Sequence, residues 1–174
     1  MTIALLVIAL RVLVPFTIFR WPLLGGILAF AADFYDFVLL NTFGWGFLTL
    51  ETYQPLDKIL DIYYLSFEFL VALRWSDLLA RKSAVAFFSW RLIGVVAFEL
   101  TQMRKFLFFA PNIFEYFYLA FLGIKKFEPE FRLTRKILVI LIIAIGIPKL
   151  IQEYILHYLE YPLGFRTIWE FLFK

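Results

Sequence analysis

Two pairs of aspartates stand about one helical turn apart, Asp33 with Asp36 and Asp57 with Asp61. Spacings of three and four place side chains on one helix face. Carboxylates so placed could hold Mg²⁺ or another hard cation through their oxygens, as a membrane enzyme acting on a lipid diphosphate requires. The spacing is a weak metal signature by itself. No longer acid-rich pattern with further Asp, Asn, Gly or Arg at fixed positions accompanies it, so the sequence names no cofactor and no family.

Further charges extend the set. Asp57, Asp61 and Glu68 share one side of a single helix when advanced at about 100° per residue. Lys149, Glu153 and His157 fall at i, i+4 and i+8 beside Pro148, forming a cationic, acidic and imidazole ladder. Arg91, Glu99, Asn112 and Glu115 complete the candidate ligand or ion-binding residues. Aromatics interleave with them at Tyr63, Tyr64 and Phe67 and again along Phe106 to Tyr118, where they could cage an organic cation or simply fill a bundle. A single histidine argues against a zinc cage or bis-histidine haem. The lack of cysteine removes thiolate metal sites and thiol redox chemistry.

The elements that carry these charges are apolar. Hydrophobic residues make up 63% of the 174 and mean hydropathy is +0.85, more apolar surface than a soluble domain of this length can hide. Breaks at charged and Pro-marked segments leave runs near 3–19, 23–43, 56–75, 83–101, 106–124 and 137–158. The expected fold is all-α: one polytopic transmembrane bundle of about six spans over 1–160. A short interfacial segment follows at 161–174. Spans one and two form a tight hairpin about Arg20, Trp21 and Pro22. The net charge of +3 is scattered between apolar runs and not gathered on one stripe, which argues against nucleic acid.

Orientation follows from the basic residues in the breaks. With the N-terminus outside, the inner side holds Arg20, Arg74, Arg81, Lys82, Lys125, Lys126, Arg132, Arg135 and Lys136, against Lys58, Arg104, Lys105, Arg166 and Lys174 on the outer side. Nine against five places both termini outside a cell membrane.

Buried charge is the functional signal, because each charge at mid-membrane costs at least about 2.5 to 3.5 kcal/mol unless paired, solvated or used. Asp33, Asp36, Asp61, Glu68, Glu99, Glu115 and Glu153 lie well inside the runs against Arg11, Arg91 and Lys149. The acid surplus implies a polar cavity above an apolar floor, with Glu68, Arg91 and Lys149 meeting as its hub. The first expectation is transport or channel-type handling of a cation, protons or a small polar solute. The alternatives are an embedded enzyme using the carboxylates, Arg91 and Lys149 on a phosphate-bearing lipid, and a non-catalytic subunit whose charges pair with a membrane-protein partner or a second copy.

Overall fold

The computed structural model describes residues 2–103 and 105–154, and among these every regular element is helical. The order is α1 (Thr2–Leu13), a 3₁₀ turn (Val14–Phe16), α2 (Thr17–Arg20), α3 (Pro22–Phe43), α4 (Leu50–Ala72), α5 (Leu78–Thr101), α6 (Lys105–Phe109), α7 (Ile113–Phe127) and α8 (Arg135–Glu153). Four stretches are long and apolar enough to cross a membrane: Ile3–Arg20, Pro22–Phe43, Leu78–Thr101 and Lys105–Phe127. In the first three only 28% of the apolar window is buried inside the protein. Leu5, Phe16, Ile27, Ile93 and Leu100 face outward with Ile140, Ile143 and Ile147 of α8. So much outward apolar surface suits hydrocarbon and would be a liability in water.

Local chemistry sets the breaks. Pro15 lacks a backbone donor, so the first helix tightens into the 3₁₀ turn, where the Thr17 hydroxyl donates to the Val14 carbonyl at 2.6 Å. Trp21, at φ −134°, ψ 79°, then turns the chain, and Pro22 opens α3 with a φ already suited to a first helical residue. This is the hairpin expected from the sequence. It closes so tightly that a Cβ on Gly25 would lie 2.5 Å from the backbone nitrogen of Ile18. Backbone cannot yield as a side chain can, so Gly25→Ala should cost about 1–3 kcal/mol, read as a lower melting temperature in detergent. An unchanged melting temperature would mean that α2 and α3 do not approach this closely.

One expected boundary is corrected. The third run, expected from 56, starts as a helix at Leu50, because Thr49 and Thr52 form a capping box that satisfies the first free amides. The fifth run, expected as one span over 106–124, falls within the apolar stretch Lys105–Phe127 and is broken inside it into two helices. Pro111 interrupts the ladder, and Asn112 caps α7 through its side-chain oxygen on the Glu115 amide at 3.5 Å. Carbonyls freed by the break find donors on α5: Trp90 Nε1 reaches the Phe109 oxygen at 2.9 Å and Arg91 Nη1 the Ala110 oxygen at 3.1 Å. His157 and the segment 161–174 lie outside the described residues, as does the side chain of Glu153.

The main core is aromatic and lies between α4, α5 and α7. Phe69 stacks on Phe88 with centroids 4.2 Å apart, and Trp75 meets Phe121 at 4.3 Å and Tyr118 at 5.7 Å. Asp77 locks the end of this core. One of its oxygens caps α5 at Ala80 N, 3.0 Å away, and the other accepts Leu133 N at 2.6 Å, joining two connections far apart in sequence. A second, smaller cluster of Ala4, Val7, Leu40, Leu48 and Tyr53 packs α1 against α3 and α4. The charged cavity lies beside that second cluster.

Candidate functional site

Arg11 organises the site, although the sequence offered it only as one deep base among three. Its side chain is 2% exposed. One guanidinium nitrogen donates to Asp36 Oδ2 and, at 2.6 Å, to Asp57 Oδ1; the other donates to Asp33 Oδ1 and, at 2.8 Å, to Asp61 Oδ1. The two aspartate pairs therefore converge because α3 and α4 each present one face to α1. A single cation bridges all four acids. The signal was latent: α1 carries no acid of its own, so an arginine buried within it has to find carboxylates on other helices.

Two more cations border the cluster. Lys58 Nζ donates to Asp57 Oδ2 at 3.0 Å, and Arg91 Nη2 lies 3.9 Å from Asp61 Oδ2. Oxygens of Asp33, Asp36 and Asp57 all lie within 4.8 Å of one another. Hard cations bind oxygen at about 2.0–2.6 Å, so one ion can touch all three.

These groups open on a cavity of about 320 Å³ lined by side chains of two kinds. One kind is charged and polar, the four aspartates with Lys58, Arg91, Asn112, Glu115 and Lys149. The other is aromatic, Phe30, Phe34, Phe37 and Tyr116. Glu115 is fixed in the charged lining by Tyr64, whose hydroxyl donates to Oε1 at 2.5 Å, and by Asn112 Nδ2, which donates to Oε2 at 3.0 Å. Lys149 Nζ stands 5.5 Å from the Tyr116 ring centroid. The Pro111 break thus has a function in placement, since it delivers Asn112 and Glu115 to the charged lining, and irregular backbone at membrane depth is tolerated where it lines a cavity.

Eight of the twelve sequence candidates are brought together here: Asp33, Asp36, Asp57, Asp61, Arg91, Asn112, Glu115 and Lys149. Glu99 is exposed on α5, away from the cavity. The side chain of Glu153, and His157, lie outside the described residues. The expected hub of Glu68, Arg91 and Lys149 is not formed. Arg91 turns to Asp61 and the Ala110 carbonyl. Glu68 is fully buried, does not line the cavity, has Oε1 close to Gly26, and among the described residues neither of its oxygens has a hydrogen-bond partner.

Comparison with known proteins finds no matching family, no matching curated protein and no matching solved structure.

Proposed function

We propose that the cavity is the active site of a membrane-embedded enzyme that acts on a phosphate-bearing lipid with a divalent cation held by Asp33, Asp36 and Asp57. The observation that supports this reading is that one cavity is lined by both charged and aromatic side chains. A lipid phosphate has an anionic head and an apolar body. The cavity brings Lys58, Arg91 and Lys149 together with a carboxylate cluster and with Phe30, Phe34, Phe37 and Tyr116. A cation there would neutralise and polarise phosphoryl oxygens. The bases would hold the remaining phosphate charge, with Arg91 able to bind in a planar, two-point manner. The aromatic side chains would take the first part of the tail.

The transport reading is less well supported. Handling of a cation, protons or a small polar solute would draw on the same charged groups but gives the aromatic lining no part. The subunit reading rests on no particular contact and would show as a stoichiometric partner on purification.

The test is turnover of lipid monophosphates and diphosphates by the purified protein in nanodiscs, with Mg²⁺ or Mn²⁺ and with EDTA. Release or exchange of the headgroup should require the metal. Cation or proton flux in liposomes with no metal-dependent turnover would favour transport instead.

We also propose that α4 and α8 cross the membrane with the four apolar stretches, giving six spans with both termini outside a cell membrane. Charge along α4 keeps it from standing out by apolarity, yet its acids are taken up by α1 and the cavity. Reporter fusions at Lys126 and Lys174 should fall on opposite sides; the same side for both would refute the topology.

A further inference from the structure

We propose that the cavity opens sideways into the bilayer at Phe34 and Phe37, and that a lipid lies across this opening with its tail in the hydrocarbon and its phosphate against Arg91. This route of entry rests on the lipid reading above and makes no use of its metal. A side chain that lines a cavity and is also exposed marks the mouth. Among the described residues that line this cavity, Phe34 and Phe37 are exposed, at 51% and 38%, and the others are buried or half-buried. Both belong to α3, a stretch long and apolar enough to cross a membrane. At about 1.5 Å per residue, Phe34 lies about 18 Å from the start of α3 and Phe37 about 9 Å from its end. A hydrocarbon layer about 30 Å thick takes in both rings, so the mouth faces lipid tails and not water.

Helical periodicity explains why apolar and charged groups share this opening. Phe30, Phe34 and Phe37 recur at i, i+4 and i+7 and so share one face of α3, while Asp33 and Asp36 fall on the adjoining face that meets Arg11. From the mouth an aromatic rim leads to charge. The Phe34 and Phe30 ring centroids are 6.2 Å apart, those of Phe30 and Tyr116 5.8 Å, and Lys149 Nζ stands 5.5 Å from the Tyr116 centroid. A charged lining that communicates with hydrocarbon is costly unless something polar covers it. A lipid brings a head that covers it and a tail that suits the mouth. Arg91 indicates the chemistry of the head. Its Nη1 donates to the Ala110 carbonyl and its Nη2 stands 3.9 Å from Asp61, but its Nε has no partner among the described residues although the residue is only 5% exposed. A buried donor of this kind calls for an acceptor oxygen. Phosphate supplies one, with the charge to match a guanidinium.

The chain has no cysteine, so a spin label can be attached at one chosen position at a time. Phe34→Cys and Phe37→Cys are compared with Ile143→Cys, on the outward face of α8, and Glu128→Cys, exposed in the connection after α7. Each is reconstituted in vesicles of digalactosyldiacylglycerol, a bilayer lipid without phosphate. Power saturation of the electron paramagnetic resonance signal then compares collision with oxygen, which dissolves in hydrocarbon, and with a water-soluble nickel chelate. The labels of Phe34→Cys and Phe37→Cys should follow Ile143→Cys, with oxygen dominating, and not Glu128→Cys. Adding phosphatidic acid should immobilise both labels and lower their collision with oxygen. Glycerol phosphate, the same head without tails, should do neither, and the Ile143→Cys label should respond to neither compound. With Arg91→Gln added, the response should need at least about tenfold more phosphatidic acid, since a charge-assisted hydrogen bond is lost. Arg91→Lys, which keeps the charge as a single ammonium, should fall between, and it decides if Arg91→Gln does not fold. Nickel dominance at both positions would place the mouth in water and overturn the sideways route, whatever lipid turnover shows. Oxygen dominance without a response to phosphatidic acid would overturn the docking: turnover of lipid phosphates would then leave the enzyme reading standing, and its absence would remove both. An unchanged requirement for phosphatidic acid in the Arg91 variants would take the phosphate away from Arg91.

Discussion

Asp36→Asn should reduce metal-dependent turnover at least about a hundredfold, a loss of about 2.7 kcal/mol in transition-state stabilisation, while leaving the protein folded. The amide keeps the shape of the carboxylate and one acceptor oxygen. It loses the charge that a hard cation requires and introduces a donor that such an ion repels. Stability should change far less, for a reason specific to this cluster. Arg11 is shared by four aspartates, so three charged partners remain after the substitution, and mutual repulsion among the acids falls. The measurement is turnover and melting temperature on the same preparation, with Glu99→Gln as the comparison. Glu99 is exposed on α5 and does not border the cavity, so its variant should keep activity within about twofold, as is usual for surface changes away from a site. If Asp36→Asn retains most of its turnover, or if the residual turnover no longer responds to EDTA, the carboxylates are not the metal ligands and the reading of the cavity as a metal-dependent site fails.

Much of the architecture was legible because membrane helices announce themselves through length and apolarity, which do not depend on tertiary contacts. The pairing of Asp33 with Asp36 and of Asp57 with Asp61 was legible for a similar reason, since helical periodicity fixes which residues share a face. What periodicity does not supply is the rotation of one helix against another. Depth along a run placed Glu68, Arg91 and Lys149 at similar levels and so suggested that they meet. Depth is one coordinate of three. Arg91 faces the α6–α7 break, where the Ala110 carbonyl lies between the two helices and takes a donor from α5. Glu68 lies seven residues beyond Asp61 on α4, outside the cavity lining, with Oε1 close to Gly26. Arg11 was overlooked as a site residue because its own run carries no other charge; its partners are 22 to 50 positions away. The split of the fifth run had a visible cause in Pro111 followed by Asn112. Apolar continuity on both sides outweighed it, and in the end Lys105–Phe127 is still long and apolar enough to cross a membrane.

Glu68→Leu should stabilise the protein. The side chain is 0% exposed, its two oxygens have no hydrogen-bond partner among the described residues, and Oε1 lies close to Gly26. A buried polar group in that position pays its desolvation with nothing to offset it, typically about 1–3 kcal/mol. Leucine has a similar volume and no polar atoms, so it should recover that amount, read as a rise of several degrees in melting temperature. Glu68→Gln should recover less, because the amide also lacks partners there. The same geometry decides a double-mutant cycle with Arg91→Leu. Arg91 contacts Asp61 and the Ala110 carbonyl and not Glu68, so the effects of Arg91→Leu and Glu68→Leu should add within about 0.5 kcal/mol. Arg91→Leu combined with Asp61→Leu should depart from additivity by more than that, since the first change removes a cation facing the second residue. A destabilised Glu68→Leu variant whose loss is coupled to Arg91 would mean that the two side chains pair across α4 and α5, and Glu68 would then belong to the charged lining of the cavity. Stabilisation with turnover intact would place Glu68 outside the chemistry. Stabilisation with turnover lost would show that the protein keeps an unpaired acid outside the cavity lining because the reaction uses it.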